Sequence, residues 1–144
     1  MVEGHYDVRF GAIALAIASS AKIDLVGATE GALRRIEAIL PGPRMTIAID
    51  VDPSAAIPET GVGGFTDPRS GAIRISLDSR PTRFVEMVRD WLPGGLAHEI
   101  HHSRRILAGP GYGTTLGEAI VTEGLAVAFE HEAFPSAPIG SCSR

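Results

Sequence analysis

Along the chain, the spacing of apolar positions predicts the elements before any chemistry is considered. Leu33, Ile36, Ile39 and Leu40 recur at helical spacing and stop at Pro41-Gly42-Pro43, so a helix with one face on the core is expected over residues 29–40. Residues 45–51 form a β-branched apolar run with proline on either side, the pattern of a buried strand. Ile73, Ile75 and Leu77 alternate with Arg74 and Ser76, which predicts a half-exposed strand over residues 72–77. Between these strands, residues 58–64 are loop-like, and Gly61-Val62-Gly63-Gly64-Phe65-Thr66 reads as an edge strand loosened by glycine. Asp67-Pro68-Arg69-Ser70-Gly71 then makes the turn into the next strand.

The second half is dominated by helical spacing. Phe84, Val85, Val88, Trp91 and Leu92 share one face over residues 82–92, and Pro93-Gly94-Gly95 is expected to break that run. A further helix is expected over residues 95–107, then a loop at Gly109-Pro110-Gly111-Tyr112-Gly113, then a last helix over 115–134. Residues 8–18 carry two signals at once. Their alanines favour helix while Ile13, Leu15 and Ile17 alternate as in a strand; a helix packed into the core is expected. The fold class is therefore α+β. One domain is expected, a small, twisted, mostly antiparallel sheet with a glycine-rich edge strand, packed on helices.

Composition narrows the function classes. A chain of 144 residues with 44% hydrophobic residues and a formal net charge of −4 suits one globular domain over residues 1–144. No basic run and few aromatic residues are present, so no nucleic-acid partner is expected. The apolar stretch 11–18 is shorter than the roughly 20 residues that span a bilayer and follows Glu3 and Asp7 rather than a basic segment, so neither a membrane nor a signal peptide is expected. The single cysteine, Cys142, cannot form an internal disulfide, and a cytoplasmic setting is expected.

One stretch states a chemistry. His98-Glu99-Ile100-His101-His102 is an H-E-x-x-H motif inside a predicted helix. Positions four apart on a helix differ by about 40° around the axis and about 6 Å along it, so His98 and His102 project side by side and can share one zinc ion. Glu99, about 100° around from His98, reaches a water on that metal without having to ligate it, as a general base must. The pattern alone arises by chance about once in a hundred chains of this composition, so a third ligand has to be found.

A catalytic zinc site needs three protein ligands and an open position. The last helix offers Glu118, Glu123, Glu130, His131 and Glu132, and no cysteine, which excludes a thiolate site. Glu123 is the best candidate, because Gly124 and Ala126 beside it are small, as expected where two helices approach across a metal. Thr122-Glu123-Gly124-Leu125-Ala126, coming after the H-E-x-x-H helix, resembles the E-G-x-A segment that carries the zinc-binding glutamate of gluzincin metallopeptidases. The wider run from about 29 to 134, with Gly61-Val62-Gly63-Gly64, Gly71-Ala72-Ile73-Arg74-Ile75 and Thr115-Leu116-Gly117-Glu118, resembles a bacterial family of predicted zinc-dependent proteases. The 21 positions from His102 to Glu123 exceed the spacing in aminopeptidases sharing that segment, and the glycine loop at 109–113 can absorb the difference.

The resemblance implies a zincin-like fold, one Zn2+ per chain held by His98, His102 and Glu123, and hydrolysis of a peptide or protein substrate with Glu99 as general base. Residues 61–66, and Gly63, Gly64 and Phe65 in particular, are expected to offer an edge to which an extended peptide adds as a strand. Glu118 closes a Thr115-x-x-Glu118 capping box, with contact to a ligand histidine as the alternative role. His101 is expected beside the ligands or on the rim, and Tyr112 and His131 are the candidate donors to an oxyanion, each with a plain loop or surface role as its alternative. Arg104 and Arg105 suit the C-terminal end of the motif helix. Two other functions compete. One is a deformylase-like zinc amidohydrolase, whose usual cysteine ligand is missing here; the other is a non-catalytic metal-containing domain that binds peptides, which has no use for Glu99.

Overall fold

A computed structural model describes residues 5–135. The elements run β1 (Tyr6–Phe10), α1 (Ala12–Ser20), α2 (Leu25–Ile39), β2 (Met45–Val51), β3 (Val62–Thr66), β4 (Ile73–Leu77), α3 (Pro81–Glu86), a π-helical turn (Met87–Trp91), α4 (Leu92–Ala108) and α5 (Leu116–Ala133). Cys142 lies outside the described residues.

The four strands form one mixed sheet in the order β1-β2-β4-β3. β1, β2 and β4 are parallel, and only β3 is antiparallel, to β4. The expectation of a mostly antiparallel sheet is therefore corrected. Strand alternation reports that one face is covered: β2 buries Met45, Ile47 and Ile49 and exposes Thr46, Ala48 and Asp50. One-sided burial is commoner in antiparallel sheets. Here α1 and α2 form a crossover between β1 and β2, and a crossover sets strand direction without changing the alternation. β2 is thus less buried than expected, and β4 more so, since Ser76 is covered along with Ile73, Ile75 and Leu77.

Residues 8–18 resolve into both of their signals. Gly11 divides them, with Val8 and Phe10 in β1 and the alanine-rich part in α1. The small residues Ala14 and Ala18 face the core, while Ile13 and Leu15 are exposed, so the larger side chains are not core as expected. α2 begins four residues earlier than its periodicity suggests, because the Asp24 carboxylate caps it by accepting the Gly27 N–H at 2.9 Å.

Pro93 does not break the helix before the motif. The chain is helical without interruption from Pro81 to Ala108, and Pro93 sits in the first turn of α4. Through the π turn the Leu92 N–H bonds the Met87 carbonyl, five residues back. That wider turn takes up the proline, which has no N–H to give and whose ring would crowd a carbonyl in a regular helix.

α4 has two working faces. Leu92, Leu96 and Ile100 are buried against the sheet, and with Phe84, Ile47, Ile49, Ile75, Leu77, Leu33 and Ile36 they make the centre of the core. Each such side chain contributes roughly 1.5–3 kcal/mol by leaving water. His98 and His102 project from the opposite face, toward α5. The carbonyls at the end of α2 and in the following loop hold α4 from a third side. Arg104 is buried, donates to the carbonyls of Leu40 and Pro43, and pairs with Glu37 at 2.9 Å. Its place near the helix C-terminus is thus only part of its role; Arg105 donates no such set of bonds to the α2 end.

Candidate metal centre

His98 and His102 leave α4 one turn apart, and Glu123 arrives from the second turn of α5. His98 Nε2, His102 Nε2 and Glu123 Oε1 form a nearly equilateral triangle, with sides of 3.0, 3.1 and 3.2 Å. Tetrahedral zinc with bonds of about 2.0–2.1 Å separates its ligand atoms by about 3.3 Å, so the donor set has the size of one face of that tetrahedron. These are the three groups among the described residues that converge as possible ligands of one ion.

The proton positions support the same conclusion. Glu130, two turns beyond Glu123 on α5, places Oε1 2.5 Å from His98 Nδ1, and both side chains are buried. A carboxylate only accepts, so Nδ1 carries the proton and donates. In the neutral ring Nε2 then presents a lone pair to Glu123 Oε1, itself an acceptor, only 3.0 Å away. A cation between them relieves that opposition. Without one, a second proton on His98 does so: burial pulls its pKa down, but Glu130, Glu99 and Glu123 together outweigh burial and leave it raised. His102 is lowered, chiefly by burial, and its buried Nδ1 has no hydrogen-bond partner among the described residues. Glu123 is held below the usual carboxylate range despite its burial, by Tyr112 and the two histidines.

Glu99 points to the other side of the cluster, against β3. It is buried, and burial raises its pKa although Thr66 and His98 oppose the shift. Thr66 Oγ1 donates to Glu99 Oε1 at 2.7 Å and lies 3.2 Å from the Glu99 carbonyl oxygen. Gly64, two residues back on the same face of β3, is where the strand passes closest: a Cβ there would stand 2.6 Å from Glu99 Oε2. His98, Glu99, His102 and Glu123 open onto a cavity of about 340 Å³ whose walls include Phe65 and Tyr112.

The remaining candidates fall in different places. The Tyr112 hydroxyl donates to Glu123 Oε2 at 2.5 Å, which pushes its own pKa up to about 12. It therefore holds the carboxylate of Glu123 in place, and its ring lies 5.5 Å from that of His102. Glu118 belongs to the helix start: its N–H donates to Thr115 Oγ1, and its carboxylate is lowered by hydrogen bonds from Thr115 and the 114–115 backbone. His101 packs on Phe129 with ring centroids 5.6 Å apart, and burial pushes its pKa down to about 4. His131 is exposed near the far end of α5, outside the residues that line the cavity. In β3, the bonds from Asp67 N–H to Ala72 and from Asp78 N–H to Gly61 set the alternation. Gly63 and Phe65 accordingly turn their backbone groups to β4, and Gly64 and Thr66 turn theirs to the free edge.

Sequence reasoning named Glu130 only among the possible ligands and missed its bond to His98, and it missed the bond from Thr66 to Glu99. Glu130 had a signal, since it follows Glu123 by seven positions and so lies on the same face of α5. Thr66 had a weaker one, its period-two relation to Gly64.

No helix among the described residues is long and apolar enough to cross a membrane by itself. No curated protein and no solved structure matches the chain. Residues 26–143, which include β2 to β4, the H-E-x-x-H helix and α5, match a family described as predicted Zn-dependent protease. The chain belongs to this family of predicted Zn-dependent proteases.

Proposed function

We propose that this chain is a zinc-dependent metallopeptidase of gluzincin type, with one Zn2+ held by His98, His102 and Glu123 and with Glu99 as general base. The observation that carries this reading is the convergence of His98 Nε2, His102 Nε2 and Glu123 Oε1 within 3.2 Å of one another, beside a buried carboxylate that is not one of the three. Zinc bound there supplies a Lewis acid that polarises a carbonyl and acidifies water.

The protein residues do the rest. Glu99 accepts a proton from the attacking water and passes it to the leaving amine. Its raised pKa suits both halves of that task, since the protonated form is easier to reach than for an exposed glutamate. Glu130 keeps His98 in the Nδ1–H tautomer, so that Nε2 is the ligating nitrogen. Tyr112 occupies Glu123 Oε2 and leaves Oε1 with the histidines. The outward backbone groups of Gly64 and Thr66 offer an extended chain antiparallel or parallel pairing beside the cavity, which favours a peptide or protein substrate. The proposed setting is the cytosol, with neither nucleic acid nor membrane as partner.

Hydrolysis of a quenched-fluorescent peptide library by the zinc-loaded protein tests the reading. Cleavage that disappears on chelation, returns with Zn2+ and is abolished in Glu99→Gln is the expected result. A zinc-loaded protein that cleaves no peptide but deformylates N-formyl peptides would make it an amidohydrolase of another kind.

A further inference from the structure

Among the described residues, Thr66 is the side chain that donates to the Glu99 carboxylate, and it does so from the strand that would receive the substrate. The geometry points to Thr66 as a positioning residue for the general base, its hydroxyl holding Glu99 Oε1 so that Oε2 is the oxygen turned to the substrate. This rests on the hydrolase reading above.

Three observations carry it. First, the 2.7 Å bond from Thr66 Oγ1 takes up Oε1, while Oε2 occupies the space beside Gly64, 2.6 Å from where a Cβ would stand, at the cavity that Glu99 lines. The two oxygens of one carboxylate are thus distinguished. Second, Gly64 and Thr66 are two apart and face α4 together, one by the space it leaves and the other by the bond it makes. With a side chain at 64, Glu99 could not occupy the orientation that Thr66 holds. Third, the same two residues turn their backbone N–H and C=O groups to the free edge of the sheet. A peptide paired with that edge is therefore registered against the same two residues that fix the base. Strand propensity does not account for Thr66, since valine has the same shape and at least the same preference for a strand. Only the hydroxyl separates the two.

The test compares zinc-loaded Thr66→Val and Thr66→Ser with the parent protein. Thr66→Val is expected to keep zinc and fold, to show the Glu99 carboxylate rotated away or in two orientations in its crystal structure, and to lose about tenfold to a hundredfold in kcat with little change in KM. Thr66→Ser is expected to restore one Glu99 orientation and most of kcat. A single, parent-like Glu99 orientation in Thr66→Val overturns the proposal, as does a Thr66→Val enzyme with parental kcat. The crystallographic comparison decides the matter even if the parent cleaves no peptide, an outcome that would instead remove the peptidase reading.

Discussion

Glu130 meets His98 across the α4–α5 interface at 2.5 Å, whereas Nδ1 of the other motif histidine, His102, is buried without a partner among the described residues. The two imidazoles of the cluster are therefore held to different degrees. Glu130→Gln keeps the shape but replaces the carboxylate by an amide, and its zinc affinity is expected to fall about 10–100-fold in competition with a chromophoric chelator. Equal affinity in the variant and the parent would show that the carboxylate does not orient His98.

Glu99→Gln and Glu123→Ala separate base from ligand. The first is expected to retain near-stoichiometric zinc by elemental analysis and to lose about 10²–10⁴ in kcat. The second is expected to lose its zinc on dialysis. If Glu123→Ala keeps full affinity, the third ligand lies elsewhere.

Zinc affinity is expected to fall as pH falls, beginning above the ordinary histidine value of 6.5 because His98 is raised in the metal-free protein. The sign follows from competition: zinc needs the His98 Nε2 lone pair, and a raised pKa means the proton is retained to higher pH. Titrating the dissociation constant from pH 5 to 8 checks this. An onset of loss only well below pH 6.5 would contradict the influence assigned to Glu130, Glu99 and Glu123.

Gly63→Ala and Gly64→Ala are adjacent substitutions with opposite expected consequences. A Cβ at Gly63 would stand 2.0 Å from the Ala55 carbonyl oxygen, part of the backbone, so this variant is expected to lose about 1–3 kcal/mol in urea unfolding. At Gly64 the obstacle is the end of the Glu99 side chain, 2.6–2.8 Å away, which can swing aside. Gly64→Ala should therefore remain folded and lose activity. A Gly64→Ala protein with parental turnover would show that the close approach of β3 does not constrain the base.

Arg104→Met tests the anchor on the third side of α4. The change removes the Arg104 partner of Glu37 at 2.9 Å while keeping much of the apolar stem; Tyr6 still donates to Glu37 and His5 lies 3.3 Å from it, so the expected loss is about 1–3 kcal/mol. Thermal unfolding of Arg104→Met and of the double variant with Glu37→Gln distinguishes the charge penalty from lost packing, since the double variant should recover part of the loss.

Much of this arrangement was legible because its parts are local. His98, Glu99 and His102 lie within one helical turn, and the Thr115 cap and the span of α5 follow from neighbouring residues. What was not legible depends on contacts between distant segments. Alternation in β2 shows that one face is covered but not that β1 lies beside it in the same direction. Arg104 at a helix end looks solvated until the α2 end closes over it. Thr66 sits in an ordinary strand pattern, and only the arrival of α4 gives its hydroxyl a partner 33 positions away.

The π turn at Met87–Trp91 has a consequence for how this motif can vary. Phe84, Val88, Leu92, Leu96 and Ile100 are buried at every fourth position, although in a regular helix each such step turns about 40° and four steps would carry the stripe about 160° off the core. The wider turn takes part of that rotation back. Upstream and downstream of it, the helix thus keeps two separate angular references, and the turn is the joint between them. A one-residue deletion there would rotate one half against the other, so that the chain could keep Phe84 seated in the core or His98 and His102 turned to α5, but not both. Substitutions along residues 87–91 are tolerable in a way that a change in their number is not.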